Sequence, residues 1–432
     1  MPQTIRELSL RSDRHTSFYL DCGSPDGVPM IFVHGWPELS ISWRHQLPVF
    51  AGLGFRAVAP DMRGYGRSRV HPRHEDYALE HIVTDMIELL DALGAAKAVW
   101  VGHDWGSPVV WAIAQQHPDR CHGIASLCAP YLPEGLSVEA ALPYADRNLY
   151  PDDRFPAAQW DYMLFYRENF AAAHQAFDAD PRAFVRLAFR AGDAAVVGQP
   201  AMTAMVRAQG GWFGPGAPAP QLPRDETVLT QADEDAYTEA LTRNGFFGPD
   251  SWYMNAPANA AYAERARANW QLQMPVLFAH ARYDNVCETL VSRLAEPMRA
   301  HCANLTETIV DSGHWMAQEQ PVALNAALAD RVFGVEVLPL SEIDYSGFGA
   351  EEAHVVTYAG KWIETSRDWD LTKVVPARGP RVIGLRPDQP VPIPMDSAAS
   401  AASSISANRA PPSSTASAPK AAALRNTPPM LS

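Results

Sequence analysis

Asp104 is the first residue whose neighbours suggest chemistry, because it lies between two glycines in WVGHDWGSPVV (residues 100–110). An apolar run ends at this point and a helical pattern begins. Gly102 and Gly106 permit a tight, strained strand-turn-helix that pushes the central side chain into a pocket, and the N-terminus of the following helix stabilises a carboxylate there. We therefore predict that Asp104 is a nucleophile, in a position where a serine is more usual.

A second short motif supplies the donors that such a nucleophile needs. His34, Gly35, Trp36 and Pro37 (HGWP) follow an apolar run that is typical of a buried strand. The backbone N–H of Trp36 is predicted to stabilise an oxyanion together with the backbone N–H of Trp105. Taken alone, HGWP is better explained as a tight turn around a buried indole, and only its pairing with the Asp104 motif favours the oxyanion site.

An acid and a base follow two later strand patterns. HARYDN offers Asp284 as the acid, and DSGHWM offers His314 as a general base. The chain order of nucleophile, acid and histidine is that of the catalytic triad of α/β-hydrolases. Asp311 is an alternative acid, but it is too near His314 in the sequence to fit that pattern.

The elements that must position these residues alternate between strand and helix patterns. Buried strands are predicted in VPMIFVHGW, FRAVAPDMRG, AKAVWVGHDWG and CHGIASLCAP, and helices in YALEHIVTDMIELLDALG and SPVVWAIAQQHP. The alternation returns in the strand patterns MPVLFAHARYD and LTETIVDSGH and in the helical PVALNAALADRVF. This order indicates βαβ units, and therefore an α/β fold with a mainly parallel central sheet flanked by helices.

Five segments are expected along the chain. Residues 1–131 and 258–335 form the two parts of an α/β core, and residues 132–257, which are helical and aromatic in pattern, form an inserted lid. Residues 336–395 form a C-terminal extension in which AHVVTYAGKWIET and PRVIGLRP are candidate strands without an identifiable partner. Residues 396–432 are rich in Ser, Ala and Pro and are predicted to be disordered.

Composition narrows the class of protein. The chain has 432 residues and a net charge of −14, which argues against a nucleic acid or an anionic membrane as partner. Its five cysteines include no CxxC pair, so neither a disulfide framework nor a zinc ribbon is indicated. Neither an apolar signal segment nor an apolar run long enough for a bilayer is found in the sequence. A cytoplasmic protein without membrane insertion is therefore predicted, and its oligomeric state is left open.

Four motifs together are similar to those of the soluble epoxide hydrolases of the α/β-hydrolase fold: HGWP, DMRGYGRS, GHDWGS and SGHWMAQEQP. The resemblance covers most of residues 1–335 and stops near Phe333. It implies an α/β-hydrolase core whose inserted lid is a helical cap. It also implies an enzyme that converts an epoxide to a vicinal diol.

The resemblance extends into the lid and implies two phenol donors. The segments WDYMLFYREN and AYTEALTRNGFFGP resemble the two family segments that carry the tyrosines binding the epoxide oxygen. Carried over residue by residue, those tyrosines are Tyr162 and Tyr237. Taken alone, either tyrosine is better explained as a packing residue of an aromatic lid, and Tyr166 and Tyr253, which lie close by, illustrate that risk; the two matching segments together favour the functional interpretation.

The implied reaction explains why an aspartate replaces serine. A carboxylate attacks a saturated carbon without first losing a proton, and the resulting hydroxyalkyl ester on Asp104 is hydrolysed by water that His314, oriented by Asp284, deprotonates. Tyr162 and Tyr237 keep their protons at neutral pH and donate to the leaving oxygen. The expected partners are a small apolar epoxide and water, with no cofactor and no metal ion.

Two other functions stay open at this point. A haloalkane dehalogenase would use the same fold, aspartate and histidine, but would hold a halide with N–H donors such as indoles. A non-catalytic protein of this fold that binds a small molecule would lose a member of the triad, and none is lost. A metal site in HPRHED is also conceivable, but that stretch is more typical of a solvated loop; its candidate ligands are His71, His74, Asp76 and the nearby His81.

Overall fold

The computed structural model describes residues 4–333 and two short strands, Ile343–Asp344 and Lys373–Val374, which pair antiparallel. The candidate strands AHVVTYAGKWIET and PRVIGLRP and the Ser/Ala/Pro-rich tail lie outside the described residues. The main strands are β1 Arg6–Arg11, β2 Thr16–Cys22, β3 Pro29–Val33, β4 Arg56–Pro60, β5 Ala98–His103, β6 Cys121–Leu127, β7 Leu272–Ala281 and β8 Cys302–Val310. The helices are α1 Leu47–Gly52, α2 Leu79–Ala92, α3 Gly106–Gln116, α4 Val138–Ala141, α5 Asp161–Asp178, α6 Pro181–Ala188, α7 Gln231–Asn244, α8 Phe247–Ser251, α9 Ala256–Ala263, α10 Glu296–His301, α11 Met316–Glu319 and α12 Pro321–Phe333.

The eight main strands form one sheet in the order β1-β2-β4-β3-β5-β6-β7-β8. β2 pairs antiparallel with both β1 and β4, whereas every pair from β4 to β8 is parallel. Parallel strands end at the same edge of a sheet, so the loops after β3, β5, β7 and β8 open on one side of the molecule. The mainly parallel α/β sheet expected from the sequence is confirmed.

The antiparallel edge formed by β1 and β2 is absent from the sequence prediction. In β1, half-buried and exposed positions alternate, with Leu8 and Leu10 on the inner side, while β2 is buried almost throughout. The period-two pattern of RELSLR is the signal for β1, but it is short and its other positions are mostly charged.

Helices cover both faces of the sheet. Helices α2 and α3 pack on one face, through residues that include Ile82, Met86, Leu89, Val110 and Ile113. Helices α1 and α12 pack on the other, through Leu47, Phe50, Leu324 and Leu328. β5 is consequently buried at all of its positions. Asp104, which follows it, extends from a strand that helices cover on both faces.

The inserted segment lies between β6 and β7, which are neighbours in the sheet. It consists of α4 to α9 with connecting loops and short 3₁₀ turns. Helix α9 spans the boundary predicted at residue 257 and packs against α2 and α3 of the core. Core packing therefore resumes at the end of the lid that the sequence indicated.

A cluster of ion pairs and a capping box hold α7 within the lid. Glu234, which is fully buried, accepts from Arg186 at 2.9 Å and from Arg224 at 3.4 Å, and it also pairs with Arg182. At the start of the helix, Oγ1 of Thr230 accepts the backbone N–H of Asp233 at 3.2 Å, and Oδ2 of Asp233 accepts that of Thr230 at 2.9 Å. This capping box satisfies N–H groups that the first turn would otherwise leave unpaired.

Within residues 4–333 and the two short strands, no helix has both the length and the apolar character that crossing a membrane requires.

Candidate active site

Asp104 lies at the elbow between β5 and α3. Its backbone φ is +50°, a left-handed conformation that is uncommon for any residue but glycine. A Cβ on Gly102 would lie 2.4 Å from the carbonyl oxygen of Gly106, and a Cβ on Gly106 would lie 2.1 Å from that of Val33. Both glycines of the motif are therefore required by close packing, and the elbow presents Asp104 at the edge where the parallel strands end.

The backbone N–H of Trp36 donates to Oδ1 of Asp104, with an N···O distance of 2.7 Å. Gly35 permits this approach, because a Cβ there would lie 2.4 Å from Oδ1 of Asp104 and 2.6 Å from the amide nitrogen of Trp105. The amide of Trp36 thus binds the carboxylate, and the amide of Trp105 borders the same glycine.

Buried hydrogen bonds hold the HGWP loop in place. His34 accepts the backbone N–H of Met62 at Nε2 (2.9 Å), so it is the Nδ1–H tautomer that donates to the carbonyl oxygen of Gly35 (2.9 Å). A carboxylate oxygen of Glu38 accepts the backbone N–H of Gly35 at 3.0 Å, and the peptide bond before Pro37 is cis. The motif residues around Trp36 therefore support the loop rather than contact Asp104 through their side chains.

His314, which follows β8, stands between two carboxylates. Its Nδ1 donates to Oδ2 of Asp284 at 2.6 Å, and its Nε2 lies 3.5 Å from Oδ2 of Asp104. The other oxygen of Asp284 accepts the backbone N–H groups of Val286 and Cys287, both at 3.0 Å. These contacts bring together the three residues that the sequence suggested as nucleophile, base and acid.

The charges in this group shift two pKa values in opposite directions. Burial lowers the pKa of His314, but the charge of Asp284 and the hydrogen bonds to Asp104 and Asp284 outweigh it and raise that pKa well above its usual range. Burial raises the pKa of Asp284, yet the charge of His314 and its hydrogen bond bring it down to about 2. Asp284 is therefore ionised at neutral pH and favours the protonated imidazole.

The alternative acid is elsewhere. Asp311 forms an exposed ion pair with Arg282, and it is Asp284 that binds Nδ1 of His314. The short distance in sequence between Asp311 and His314 does not bring their side chains together, because both follow the end of β8 at Val310 and the chain bends at Asp311.

A second histidine, His103, lies directly behind the elbow and is fully buried with Glu38. Its Nδ1 donates to Glu38 at 2.7 Å and its Nε2 to the carbonyl oxygen of His314 at 2.7 Å, so both ring nitrogens face acceptors. Burial lowers the pKa of His103, but the charge of Glu38 outweighs this and raises it to about 10; the pKa of Glu38 falls to about 2. This buried ion pair connects the HGWP loop to the loop that carries His314.

Two lid tyrosines face the triad, Tyr162 at the start of α5 and Tyr253 just after α8. Their ring centroids are 5.6 Å apart. Burial and the negative charge of Asp104 raise the pKa of each well above its usual range, and the charge of His314 lowers the pKa of Tyr162 by a smaller amount. Tyr253 is fixed by Tyr166, whose ring stacks on it at 4.4 Å, and by Trp105, whose ring lies edge-on at 5.1 Å.

The structure does not bring Tyr237 into this group. Its hydroxyl bonds to Oγ of Ser42 at 2.6 Å and accepts from Nε2 of Gln318 at 3.1 Å. After burial, the largest influences on its pKa come from Arg44, Glu38, Ser42 and Asp233. Its ring packs against Phe189, so Tyr237 joins the lid to the core behind the site.

The chain is similar in sequence to known proteins. A family model for the alpha/beta hydrolase fold matches residues 28–321. Epoxide hydrolase A of Mycobacterium tuberculosis is 33% identical over 337 residues, which cover 74% of this chain and 94% of that protein. Bifunctional epoxide hydrolase 2 of Sus scrofa is 32% identical over 313 residues, 72% of this chain but 52% of that protein, so the chain spans about half of its length.

A solved structure agrees with these sequence matches. The crystal structure of epoxide hydrolase A from Mycobacterium thermoresistibile superposes with a TM-score of 0.62 at 30% identity, covering 76% of this chain and 98% of that one. The chain belongs to the epoxide hydrolases of the α/β-hydrolase fold. The family resemblance drawn from HGWP, GHDWG and SGHW is thereby confirmed.

Membership in the epoxide hydrolases agrees with the state of the Trp36 indole. Its N–H donates to Oδ1 of the buried Asp250 at 2.8 Å. A haloalkane dehalogenase needs free N–H donors around its halide, and in this chain the indole N–H of Trp36 is already occupied.

Tyr253 is the residue of this epoxide hydrolase that sequence reasoning passed over. It lies four residues after the proline of GFFGP, in DSWYMN (residues 250–255), where the chain leaves the lid and returns to the core. A lid residue near that return is close to the sheet edge, whereas Tyr237 lies in the middle of α7. The position of Tyr253, close to where the chain returns from the lid to the core, was therefore the sequence signal that pointed to it.

Two groups of potential metal ligands occur among the described residues, and both include His314. One adds His103 and Cys128, and the other adds Asp284 and Cys287, with ligand atoms within 4.8 Å of one another. The imidazole of His314 is hydrogen-bonded to Asp284 and faces Asp104, an arrangement suited to proton transfer. The HPRHED side chains form no such group within the described residues: His71 bonds to His15 and His74 to Ser251.

Proposed function

We propose that this protein hydrolyses epoxides to vicinal diols through a covalent ester on Asp104. The observation that carries the proposal is the position of the Asp104 carboxylate, with Oδ1 held by the N–H of Trp36 and Oδ2 facing the imidazole of His314. The contact with Trp36 leaves Oδ2 free to attack the epoxide. The contact with His314 places a base beside the carbonyl of the ester that then forms on Asp104.

In the first step, Oδ2 of Asp104 attacks a ring carbon of the epoxide. A C–O bond of the ring breaks, and its electron pair stays on the former ring oxygen. Tyr162 and Tyr253 are proposed as the donors to that oxygen, in place of Tyr162 and Tyr237. Their raised pKa values keep both hydroxyls protonated at neutral pH, so each has a hydrogen to donate as negative charge develops.

In the second step, water attacks the ester carbonyl of Asp104. His314 takes the proton from that water, and Asp284 stabilises the imidazolium that forms. The carbonyl oxygen of the ester is then Oδ1, on which the backbone N–H of Trp36 already lies, and the N–H of Trp105 is proposed as the second donor to the oxyanion. Collapse of the tetrahedral species breaks the bond between the carbonyl carbon and Oδ2, so Oδ2 leaves in the diol and the oxygen of the water stays in the carboxylate. The two protons of the water replace the two that the diol oxygens take up, which restores the resting enzyme.

The charge of His314 changes between the two steps. Asp104 is one of the groups that raise the pKa of His314 in the resting enzyme. Formation of a neutral ester removes that negative charge, so the pKa of His314 falls and the imidazole becomes a better general base. Alkylation of the nucleophile therefore prepares the base for hydrolysis.

The substrate is proposed to be a small apolar epoxide of the aryl or alkyl type. Trp36, which is partly exposed, is surrounded by four rings at centroid distances of 5.5 to 6.2 Å, those of Phe177, Phe184, Trp212 and Tyr253. An aromatic wall beside a few converging polar groups suits such ligands better than sugars or phosphates. No cofactor takes part in either proposed step.

The test is diol formation by the purified protein from a panel of aryl and alkyl epoxides, with Asp104→Ala as the inactive variant. Halide release from bromoalkanes is measured in parallel. Diol formation that is lost in Asp104→Ala supports the proposal. Halide release without diol contradicts it in favour of a dehalogenase, and binding of epoxides without turnover contradicts it in favour of a receptor.

A further inference from the structure

Asp250 is a fully buried acid of the lid that the proposed steps do not use. It lies in α8, and Oδ1 accepts the indole N–H of Trp36 at 2.8 Å. Oδ2 has no hydrogen-bond partner among the residues that the structure describes. The contact between Asp250 and Trp36 joins the lid to the HGWP loop of the core.

Asp250 forms no ion pair with any basic side chain in the described part of the chain. Burial raises its pKa well above the usual range, and the nearby charge of Asp178 raises it further, whereas the hydrogen bond from Trp36 and the nearby hydroxyl of Tyr166 act in the opposite direction. Burial without a cationic partner disfavours the carboxylate strongly, so the neutral acid is the favoured form. A neutral acid still offers a carbonyl oxygen to the indole.

Trp36 makes two polar contacts that lie at opposite ends of the residue. Its backbone N–H holds Oδ1 of Asp104, and its indole N–H holds Asp250. Four aromatic rings also surround the indole, and ring contacts allow sliding and tilting more readily than a hydrogen bond does. The hydrogen bond to Asp250 is therefore the directional contact that sets the orientation of Trp36.

We propose that Asp250 is a positioning residue which, through the indole of Trp36, fixes the backbone N–H that faces Asp104. This inference rests on the proposed function, because it concerns the oxyanion donor of the second step. The effect falls mainly on ester hydrolysis, in which negative charge develops on Oδ1, and much less on alkylation, in which Oδ2 attacks.

The experiment compares Asp250→Leu with Asp250→Asn by stopped-flow and quenched-flow kinetics on one epoxide substrate. Asp250→Leu has a similar volume and cannot accept a hydrogen bond, whereas Asp250→Asn keeps a carbonyl oxygen for the indole. We expect hydrolysis of the Asp104 ester in Asp250→Leu to slow about 10- to 100-fold, part of what loss of an oxyanion donor causes. Alkylation should change less than about threefold, so the adduct accumulates and KM falls with kcat.

Rescue by the conservative variant separates positioning from general structural damage. In Asp250→Asn the rate of ester hydrolysis is expected to stay within about threefold of that of the enzyme without a substitution. The neutral acid and the amide each offer a carbonyl oxygen that accepts the indole N–H. A loss in Asp250→Asn as large as that in Asp250→Leu would overturn the inference, since a charge would then be required. Equal loss of alkylation and hydrolysis in Asp250→Leu would overturn it also.

Trp36→Phe provides a second arm that does not depend on how well Asp250→Leu folds. It removes the indole N–H and keeps an aromatic ring, so we expect the same selective defect in hydrolysis. In the double variant the two effects should not add, because both break one contact. Unchanged hydrolysis in Trp36→Phe would contradict the inference.

The inference and the proposed function fail in different ways. Absence of any adduct on Asp104 in the unmodified enzyme under single-turnover conditions would overturn both. An adduct that forms normally, and that Asp250→Leu hydrolyses at the normal rate, would overturn the inference alone.

Discussion

The core and lid sides of the site differ in how their functional groups are held. Asp104, His314 and the amide of Trp36 follow strand ends, and hydrogen bonds to backbone or buried charges fix each of them. Tyr162 and Tyr253 lie on separate lid elements and are placed by ring contacts with each other and with their neighbours. The position of a group held by backbone hydrogen bonds can be predicted from a local sequence motif. The position of a group held by ring packing depends on the fold of the whole lid.

The largest expected effect tests the core side. His314→Gln should form the ester on Asp104 and hydrolyse it at least about 10⁴-fold more slowly, because attack on the epoxide precedes the step that needs a base. Mass spectrometry of the intact protein after exposure to substrate should show one stable adduct. An unmodified mass would remove His314 from the second step.

The choice of acid is tested by a matched pair. Asp284→Asn should lower kcat about 10³- to 10⁴-fold, since the imidazolium loses its stabilising charge and its tautomer is no longer fixed. Asp311→Asn, the same substitution in an exposed ion pair, should keep normal kcat. Equal loss in the two variants would contradict the assignment of Asp284.

The lid side is tested by three tyrosine-to-phenylalanine changes. Tyr162→Phe and Tyr253→Phe should each slow alkylation about 10²-fold, because each removes a donor to the leaving oxygen. Tyr237→Phe should slow alkylation less than about threefold, because its hydroxyl is bound to Ser42 and Gln318. Rapid-mixing measurement of the rate of adduct formation distinguishes Tyr162 with Tyr253 from Tyr162 with Tyr237 as the pair of donors. Slow alkylation in Tyr237→Phe together with a normal rate in Tyr253→Phe would support Tyr162 and Tyr237, the donors predicted from sequence.

The pH dependence of hydrolysis connects the two sides through His314. The base must be neutral, so kcat should fall about tenfold per unit once pH drops below the pKa of His314 in the ester. Because the charge of Asp284 raises that pKa, Asp284→Asn should shift the acid limb to lower pH. A pH profile in which the limb stays in place or moves upward would contradict this account of the pKa shift.

The smallest expected effect concerns the stability of the lid. Thr230→Ala removes the capping box of α7 and should lower the free energy of unfolding by about 1 kcal/mol, without changing the rates of either step. Thr238→Ala is the matched control, since the Thr238 hydroxyl has no partner among the described residues. Urea unfolding of the two variants measures the difference, and equal stability would show that the cap contributes nothing.

Sequence predicted the core well because its constraints are local. The elbow requires glycines around Asp104, the HGWP loop requires Gly35, and buried parallel strands are continuous apolar runs, so all three leave a pattern in a few consecutive residues. The short β1–β2 edge was missed because one of its faces is exposed and its pattern is weak.

The lid was harder to predict because its aromatic residues serve packing and chemistry alike. Tyr162, Tyr166, Tyr237 and Tyr253 are all buried or half-buried, and their types and spacing do not distinguish a donor from a packing ring. The distinction depends on which hydroxyl finds a partner inside the protein. That depends on Ser42 and Gln318, which are distant in sequence from the lid.

The attachment of the lid to β6 and β7 has a consequence for how such proteins diversify. The insertion is a single stretch of chain that leaves the sheet after β6 and returns to it at β7. A segment attached in this way can be exchanged or lengthened without moving any strand that carries Asp104, Asp284 or His314. Substrate range can therefore evolve by changes in the lid that keep Tyr162 and Tyr253, while the triad stays in the part of the chain that does not change.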